Sequence, residues 1–197
     1  MMITAINASP RRGGNTSVLV DKVLEGARSR GAQVRRIDLS DLAVRPLGEE
    51  DYSGTLEEIR RDPKDGLNTV ITAIQDSDVV VLASPVFFGS LSGQLKTMID
   101  RFQFAWLEKN FRGNEVFPGK KRGFFISVQA QDRRDFFEDS TRIVKHFFAT
   151  LDIEYAGELL LMGLEGKNDA ASDPGHMEKA FRVGRELVLA DDAKPGL

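Results

Sequence analysis

Five short apolar segments alternate along this chain with stretches whose apolar residues recur at helical spacing. That alternation constrains the fold more than any other feature. Residues 3–8 form the first apolar run and end in Ser-Pro and Gly-Gly, which predicts a buried strand followed by a loop. A helix is expected over residues 16–30, with Leu19, Val20, Val23, Leu24 and Ala27 on one face and Gly31 ending it. Residues 33–38 alternate as a second strand. Residues 79–83 are the clearest strand, a continuous Val-Val-Val-Leu-Ala run expected to be buried on both faces. Further strands are expected at 123–128 and 155–162. Helices are expected at 66–75, 92–106 and 136–151, and from Pro174 or Gly175 onward.

Five strands, each followed by a helix, imply an α/β parallel sheet with right-handed crossovers and helices on both faces. One domain over residues 1–190 suffices for 197 residues, with 191–197 as a flexible tail. Residues 40–65 interrupt the alternation. They are polar, contain Pro46 and Pro63, and read as a long connection with one helical turn at 56–60. The run Glu49, Glu50, Asp51 within it reads as solvated. No internal repeat is visible.

Composition narrows the function. The chain has no cysteine, which excludes disulfides, thiolate metal sites and cysteine nucleophiles. A formal net charge of −3 points away from nucleic acid and from a strongly acidic electron carrier. The first residues lack a basic stretch followed by a long apolar one, and no run approaches the roughly 20 apolar residues that span a bilayer. A cytoplasmic protein without membrane partners is therefore expected.

Ligands of such sheets sit beyond the carboxyl ends of the strands, so the loops after strands one, three and four matter most. The first, Ser9-Pro-Arg-Arg-Gly-Gly-Asn-Thr-Ser17, suits a phosphate. Gly13 and Gly14 let backbone N–H groups approach an anion. Asn15, Thr16 and Ser17 open a helix whose free N–H groups and dipole favour negative charge. Ser9, Thr16 and Ser17 add hydroxyls, and Arg11 or Arg12 adds a cation. Neither Gly-x-Gly-x-x-Gly nor a Gly-Lys-Ser/Thr ending is present. A plain glycine turn with an Asn or Thr cap would account for Asn15 but not for the arginines and hydroxyls together.

In the second loop, Ser84-Pro-Val-Phe-Phe-Gly-Ser90, Phe87 and Phe88 offer flat apolar surface on which a planar heteroaromatic ligand could lie. The alternative is that both rings fold into the core while Ser90 or Ser92 caps the next helix.

These two loops resemble the NADPH-dependent FMN reductase-like family, flavodoxin-like fold. The matching residues are Ser9-Pro-Arg-x-x-Gly-Asn-Thr16, and the stretch from Ser84-Pro-Val-Phe-Phe-Gly through Lys96 to Asp100-Arg101. The resemblance implies a three-layer sandwich around a five-stranded sheet of order 2-1-3-4-5. It implies that Ser9, Arg11, Asn15, Thr16 and Ser17 hold the FMN phosphate, and that Pro85, Val86, Phe87, Phe88, Gly89 and Ser90 line the isoalloxazine. It further implies NADPH or NADH as reductant, a small-molecule electron acceptor, and a homodimer or homotetramer. Lys96, Asp100 and Arg101 read as a solvent-facing or inter-subunit charge set rather than as catalysts. Many relatives carry a glycine-rich turn after strand four, where this chain has Ser127-Val-Gln-Ala-Gln-Asp-Arg-Arg134; Gln129 and Gln131 are the side chains there that could meet a flavin. The iron–sulfur flavoprotein branch carries cysteines in the stretch matching residues 40–65, and this chain has none.

The expected activity is an FMN-dependent transfer of reducing equivalents from NAD(P)H to a quinone, nitro or similar acceptor. The alternatives are a flavodoxin-type carrier without NAD(P)H oxidoreductase activity, or a module that has lost flavin. No catalytic acid or base and no metal is assigned, because the flavin performs the electron transfer. His146 is expected to be partly buried and structural, and His176 exposed. Phe102, Phe104 and Trp106 exceed what one helix face needs and suggest a subunit interface.

Overall fold

In a computed structural model, which describes residues 1–52 and 54–192, the alternation becomes a five-stranded sheet of order β2-β1-β3-β4-β5, every neighbouring pair parallel. The strands are β1 (Met2–Asn7), β2 (Gln33–Asp38), β3 (Val79–Pro85), β4 (Lys121–Val128) and β5 (Ile153–Leu161). The helices are α1 (Asn15–Arg28), α2 (Leu56–Arg61), α3 (Leu67–Gln75), α4 (Gly93–Arg101), α5 (Gln103–Leu107), α6 (Glu138–Thr150), α7 (Asp169–Ser172) and α8 (Pro174–Asp192). The last helix runs two residues into the stretch expected to be a tail; residues 193–197 lie outside the described residues. No helix among the described residues is long and apolar enough to cross a membrane.

The sheet divides two cores. Ile3, Ala5, Val79 and Val81 pack against α1 and α8, while Ile6, Val80, Leu82 and Phe125 pack against α3 to α6. Alternate residues of β3 thus feed opposite cores, which is why its sequence is apolar throughout. Helices α1 and α8 cross at glycines. A Cβ built on Gly184 would lie 1.9 Å from the Val23 carbonyl oxygen, and one on Gly26 would lie 2.0 Å from that of Phe181. Only glycine permits that approach.

Four features depart from the sequence reading. The helix expected over residues 92–106 breaks at Phe102 into α4 and α5, followed by a π-helical turn, Glu108–Arg112. The break lets Phe102 and Phe104 turn inward, with the Phe102 ring edge-on to Phe147 at 5.1 Å and beside Phe117 at 5.9 Å. Those two rings are core, not interface; only Trp106 stays exposed, paired with Phe111.

Arg101, expected on a charged surface, is fully buried. Its Nη2 donates to Asp65 Oδ2 at 2.6 Å, its Nη1 to the Arg45 carbonyl at 3.3 Å, and its Nε lies 3.5 Å from Asp51. Asp51 is buried too, held bidentately by Arg45 at 2.6 and 2.8 Å. The long connection is therefore pinned to α4 by ion pairs rather than left in solvent. Lys96 and Asp100 do form the expected exposed pair, at 2.6 Å.

Third, β4 begins at Lys121, inside the expected loop, because the buried Lys121 amine donates to the carbonyls of Gln75 and Ser77, both at 2.8 Å. His146, expected to be partly buried, is exposed on α6.

Candidate functional site

The loops after β1, β3, β4 and β5 meet beyond the carboxyl ends of the strands around a cavity of about 390 Å³. Ser9, Arg11, Asn15 and Thr16 line one part, Pro85, Val86 and Phe87 a second, and Gln129, Ala130, Leu164 and Glu165 a third. Seven of the eleven residues expected at a cofactor site thus share one cavity. Ser17, Phe88, Gly89 and Ser90 stand outside its lining.

The first loop is built from behind. Asn7, the last residue of β1, donates to Asp38 Oδ1 at 2.6 Å and accepts from the Ser9 N–H at 3.3 Å. Asp38 also receives Arg36, which reaches Ser17 Oγ at 2.6 Å and pairs with Asp21. Burial pushes the Asp38 carboxyl up, but hydrogen bonds from Arg36 and Asn7 outweigh it and leave it below the ordinary aspartate range. The hydrogen bond to Asp38, together with Asp21, raises Arg36 further above its usual value despite burial. Ser17 therefore belongs to a clamp that fixes the start of α1.

Asn15 has a similar task. Its amide donates to the carbonyls of Gly166 (2.7 Å) and Leu164 (3.3 Å), and its oxygen accepts from the Ala170 N–H at 3.0 Å. The side chain expected at a phosphate is committed to tying α1 to the segment after β5. Its backbone is free. Among the described residues no acceptor meets the N–H groups of Asn15, Thr16 or Ser17, and Gly14, the N-cap, supplies no side chain. Three N–H groups at the positive end of a fourteen-residue helix are thus left without an acceptor.

The two arginines separate. Arg12 pairs with Asp41 at 2.5 Å, whereas Arg11 has no ion-pair partner among the described residues. The Arg11 side chain lies across Gly14, where a Cβ would come within 3.2 Å of its Cδ.

The second loop is a tight turn. Phe87 and Ser90 exchange both backbone hydrogen bonds, at 2.9 and 3.0 Å. The central residues Phe88 and Gly89 have φ of 51° and 73°. Two positive φ values mark a type I′ turn, which suits glycine at the second position and strains an aromatic residue at the first. Neither ring is core: Phe87 is 47% exposed and Phe88 fully so. Ser92, behind the turn, caps α4 by accepting from the Leu95 N–H and donates to the Ala8 carbonyl at 2.8 Å.

The third loop is held by Gln129. Its N–H donates to Leu161 and its carbonyl accepts from Leu164, while its side-chain amide donates to the Arg133 carbonyl. The other side-chain atom, Oε1, is buried and has no hydrogen-bond partner among the described residues. The contribution of Leu164 and Glu165 went unread in the sequence. The rule that strand ends carry the site applies to β5 as to the others, and was the available signal.

These residues fit FMN. The helix N-terminus and Arg11 are chemically suited to a phosphate, Pro85, Val86 and Phe87 to a planar ring, and the volume of about 390 Å³ lies in the usual range of roughly 300–1,000 Å³ for small-molecule sites.

The chain is similar to several known proteins. An iron–sulfur flavoprotein of Methanocaldococcus jannaschii is 29% identical over 148 residues, 73% of this chain and 75% of that one. A flavone reductase structure superposes with a TM-score of 0.74 at 16% identity, over 98% of this chain and 64% of that longer one. An FMN-dependent NADH-azoreductase from Bacillus anthracis, solved with FMN, gives 0.66 at 17% identity over 98% and 100% of the two chains. These structures share the fold. Residues 1–139, both motif loops included, match the family model for NADPH-dependent FMN reductase; the chain belongs to that family and is an FMN-dependent oxidoreductase.

Proposed function

We propose that this protein uses NADPH or NADH to reduce, by way of FMN, a planar small-molecule acceptor of the quinone or nitro class. The observation that carries the reading is the pairing, in one cavity, of an unsatisfied helix N-terminus with an apolar aromatic shelf. The phosphate belongs at the N–H groups of Asn15, Thr16 and Ser17, with Arg11 closing over it and the Ser9 and Thr16 hydroxyls beside it. The ring belongs against Val86 and Phe87. Bound there, FMN supplies hydride acceptance and electron transfer.

The chain's own part is binding and orientation. Its clamp residues Asn7, Asp38 and Arg36 fix α1, so the three N–H groups are in place before the anion arrives. Phe88, wholly exposed on its strained turn beside the cavity, offers a face on which a nicotinamide and then an acceptor can stack. No side chain of the site has to transfer a proton. The exposed Trp106–Phe111 pair supports a homodimer or homotetramer, which light scattering decides.

The test is an anaerobic visible spectrum of protein loaded with FMN, desalted and mixed with NADPH. Retained flavin that bleaches promptly supports the reductase. Retained flavin that does not bleach favours the electron carrier. Loss of flavin on desalting counts against the site, and Arg11→Ala should release flavin that the parent chain keeps.

A further inference from the structure

The two arginines that end the loop after β4 have different surroundings. Arg133 is occupied: it pairs with Asp135 at 2.5 Å and lies 4.4 Å from the centre of the Phe136 ring. Arg134 has no ion-pair or hydrogen-bond partner among the described residues, and it lines a second cavity, of about 590 Å³, between α6 and β5. Lys145, on α6, lines the same groove; it lies over the Tyr155 ring at 4.8 Å and has no carboxylate partner.

Most of the other charges in the groove are already matched. Glu158 accepts from the Tyr155 hydroxyl at 2.5 Å and from Thr141 at 3.4 Å. Asp135 is held by Arg133, and Arg142 pairs with Asp139. Glu138 is the lining carboxylate left without a partner, against the two free cations Arg134 and Lys145. Leu160 and the covered ring of Phe137 supply apolar floor. Arg134 and Lys145 are eleven positions apart along helical backbone, at most about 18 Å before their long side chains close the gap. The groove therefore suits an extended ligand that carries phosphate at more than one point and an apolar ring between.

Its place in the fold says which ligand. Residues 131–133 are all that stands in sequence between Ala130, in the flavin cavity, and Arg134, in the groove. The Gln129 side-chain amide donates to the Arg133 carbonyl, so the two ends of that loop touch. In the sheet, β3 lies between β1 and β4, with β5 beyond. A flavin whose phosphate sits after β1 and whose ring sits after β3 leaves the β4–β5 side free, and the groove starts there.

We infer that this groove takes the adenosine and phosphate end of the reduced nicotinamide dinucleotide, with Arg134 and Lys145 meeting its phosphates while the nicotinamide reaches the ring shelf. This rests on the reductase reading above and deepens it by giving the reductant a binding site of its own. Both cations are exposed, so the contact weakens as salt is raised.

The test compares the FMN-loaded parent with Arg134→Gln, Lys145→Met and the double variant. Circular dichroism checks their folds. Calorimetry gives the dissociation constant of 2′,5′-ADP. Anaerobic stopped-flow gives flavin reduction by NADPH, by NADH and by 1-benzyl-1,4-dihydronicotinamide, which has neither adenosine nor phosphate and serves as the reference donor. In the parent, 2′,5′-ADP should bind and compete with NADPH. Each single variant should weaken 2′,5′-ADP about three- to tenfold, as for one solvent-screened charge-assisted contact, and lower the specificity for NADPH relative to the reference donor by a similar factor. A larger loss for NADPH than for NADH assigns the contact to the 2′-phosphate; equal losses assign it to the pyrophosphate.

An NADPH specificity unchanged in the double variant overturns the inference. So does 2′,5′-ADP that binds without competing with NADPH, which makes the groove a separate nucleotide site. Both results leave the flavin site standing. A parent that keeps no FMN on desalting overturns the flavin reading, and this inference with it.

Discussion

Replacing Arg101 with methionine should be among the most damaging single changes in this protein, although the sequence places it beside an ordinary surface pair. The Arg101 side chain is 1% exposed and that of its partner Asp65 is 5% exposed. Their contact is 2.6 Å, a charge-assisted hydrogen bond. The second carboxylate, Asp51, lies 3.5 Å from Nε, too far for a good hydrogen bond and acting through charge alone. Methionine preserves most of the volume and removes the cation. Asp65 then remains buried with the Leu67 N–H, at 3.0 Å, as its remaining hydrogen-bond donor. Breaking one side of a buried pair costs about 3–5 kcal/mol. A domain of this size has a total stability of about 5–15 kcal/mol, and each kcal/mol moves Tm by roughly 2–4 °C, so the midpoint should fall by about 6–20 °C.

The reasoning has a built-in control. In Arg101→Met with Asp65→Asn, the orphaned charge is gone while the acceptor for Leu67 is kept. That double variant should recover most of the loss, because burial of an ion pair is itself costly and an uncharged replacement is often neutral. Equilibrium urea unfolding of the parent, both single variants and the double variant closes the cycle. Trypsin cleavage within residues 40–65, which contain Arg45, Arg60 and Arg61, should quicken in Arg101→Met and slow again in the double variant. A single-variant loss below about 1 kcal/mol, with no recovery in the double, would refute the buried cluster and restore Arg101 to the surface.

Three further outcomes are expected. Phe88→Asn relieves a left-handed aromatic residue with one that tolerates that conformation, so stability should rise by up to about 1 kcal/mol while KM for a planar acceptor rises severalfold; a variant unchanged in KM removes Phe88 from the site. Asn15→Ala deletes three hydrogen bonds to the Leu164–Ala170 segment and should cost about 2–3 kcal/mol in thermal unfolding, with FMN bound more weakly because the start of α1 loosens. Asp38 and Asp51 are both held below the ordinary aspartate range: burial pushes each up, and hydrogen bonds from Arg36 and Asn7, or from Arg45 and the Gly48 N–H, more than offset it. Depressed carboxyls stabilise the fold above the unfolded-state value and lose that contribution as pH falls through the folded one. Unfolding and flavin release should therefore steepen together below about pH 4, and Asp38→Asn should flatten that limb while lowering stability at neutral pH.

What the sequence revealed follows the range of the forces involved. The strands and the two motif loops were legible because their determinants are local: an apolar run ending in Ser-Pro fixes both a strand and its exit, and Gly13-Gly14-Asn15 fixes a loop and a helix start within a few residues. The sense of each side chain was less legible, because partners far along the chain set it. Asn15 was expected to face an anion, and Gly166 and Ala170, some 150 residues later, claim its amide instead. Arg11 and Arg12 are equivalent in sequence until Asp41 takes one of them. Arg101 follows the Lys96–Asp100 pair as though on the same charged face, yet one residue is a turn of about 100° around a helix, enough to move it from solvent to Asp65. The break at Phe102 is hidden for the same reason: the helical period continues through Trp106, and only Phe117 and Phe147 make two inward rings worth more than the lost helix hydrogen bonds.

Phe88 runs the other way, since its surroundings do not compel it. A type I′ turn has residues that adopt it without strain, and the sequence places an aromatic there, with its ring fully in solvent. Neither packing nor capping accounts for that choice; the function proposed above does, if the ring is a stacking face for nicotinamide and acceptor. The strain is small against the stability of the domain, and it is located where an exposed apolar ring has something to meet.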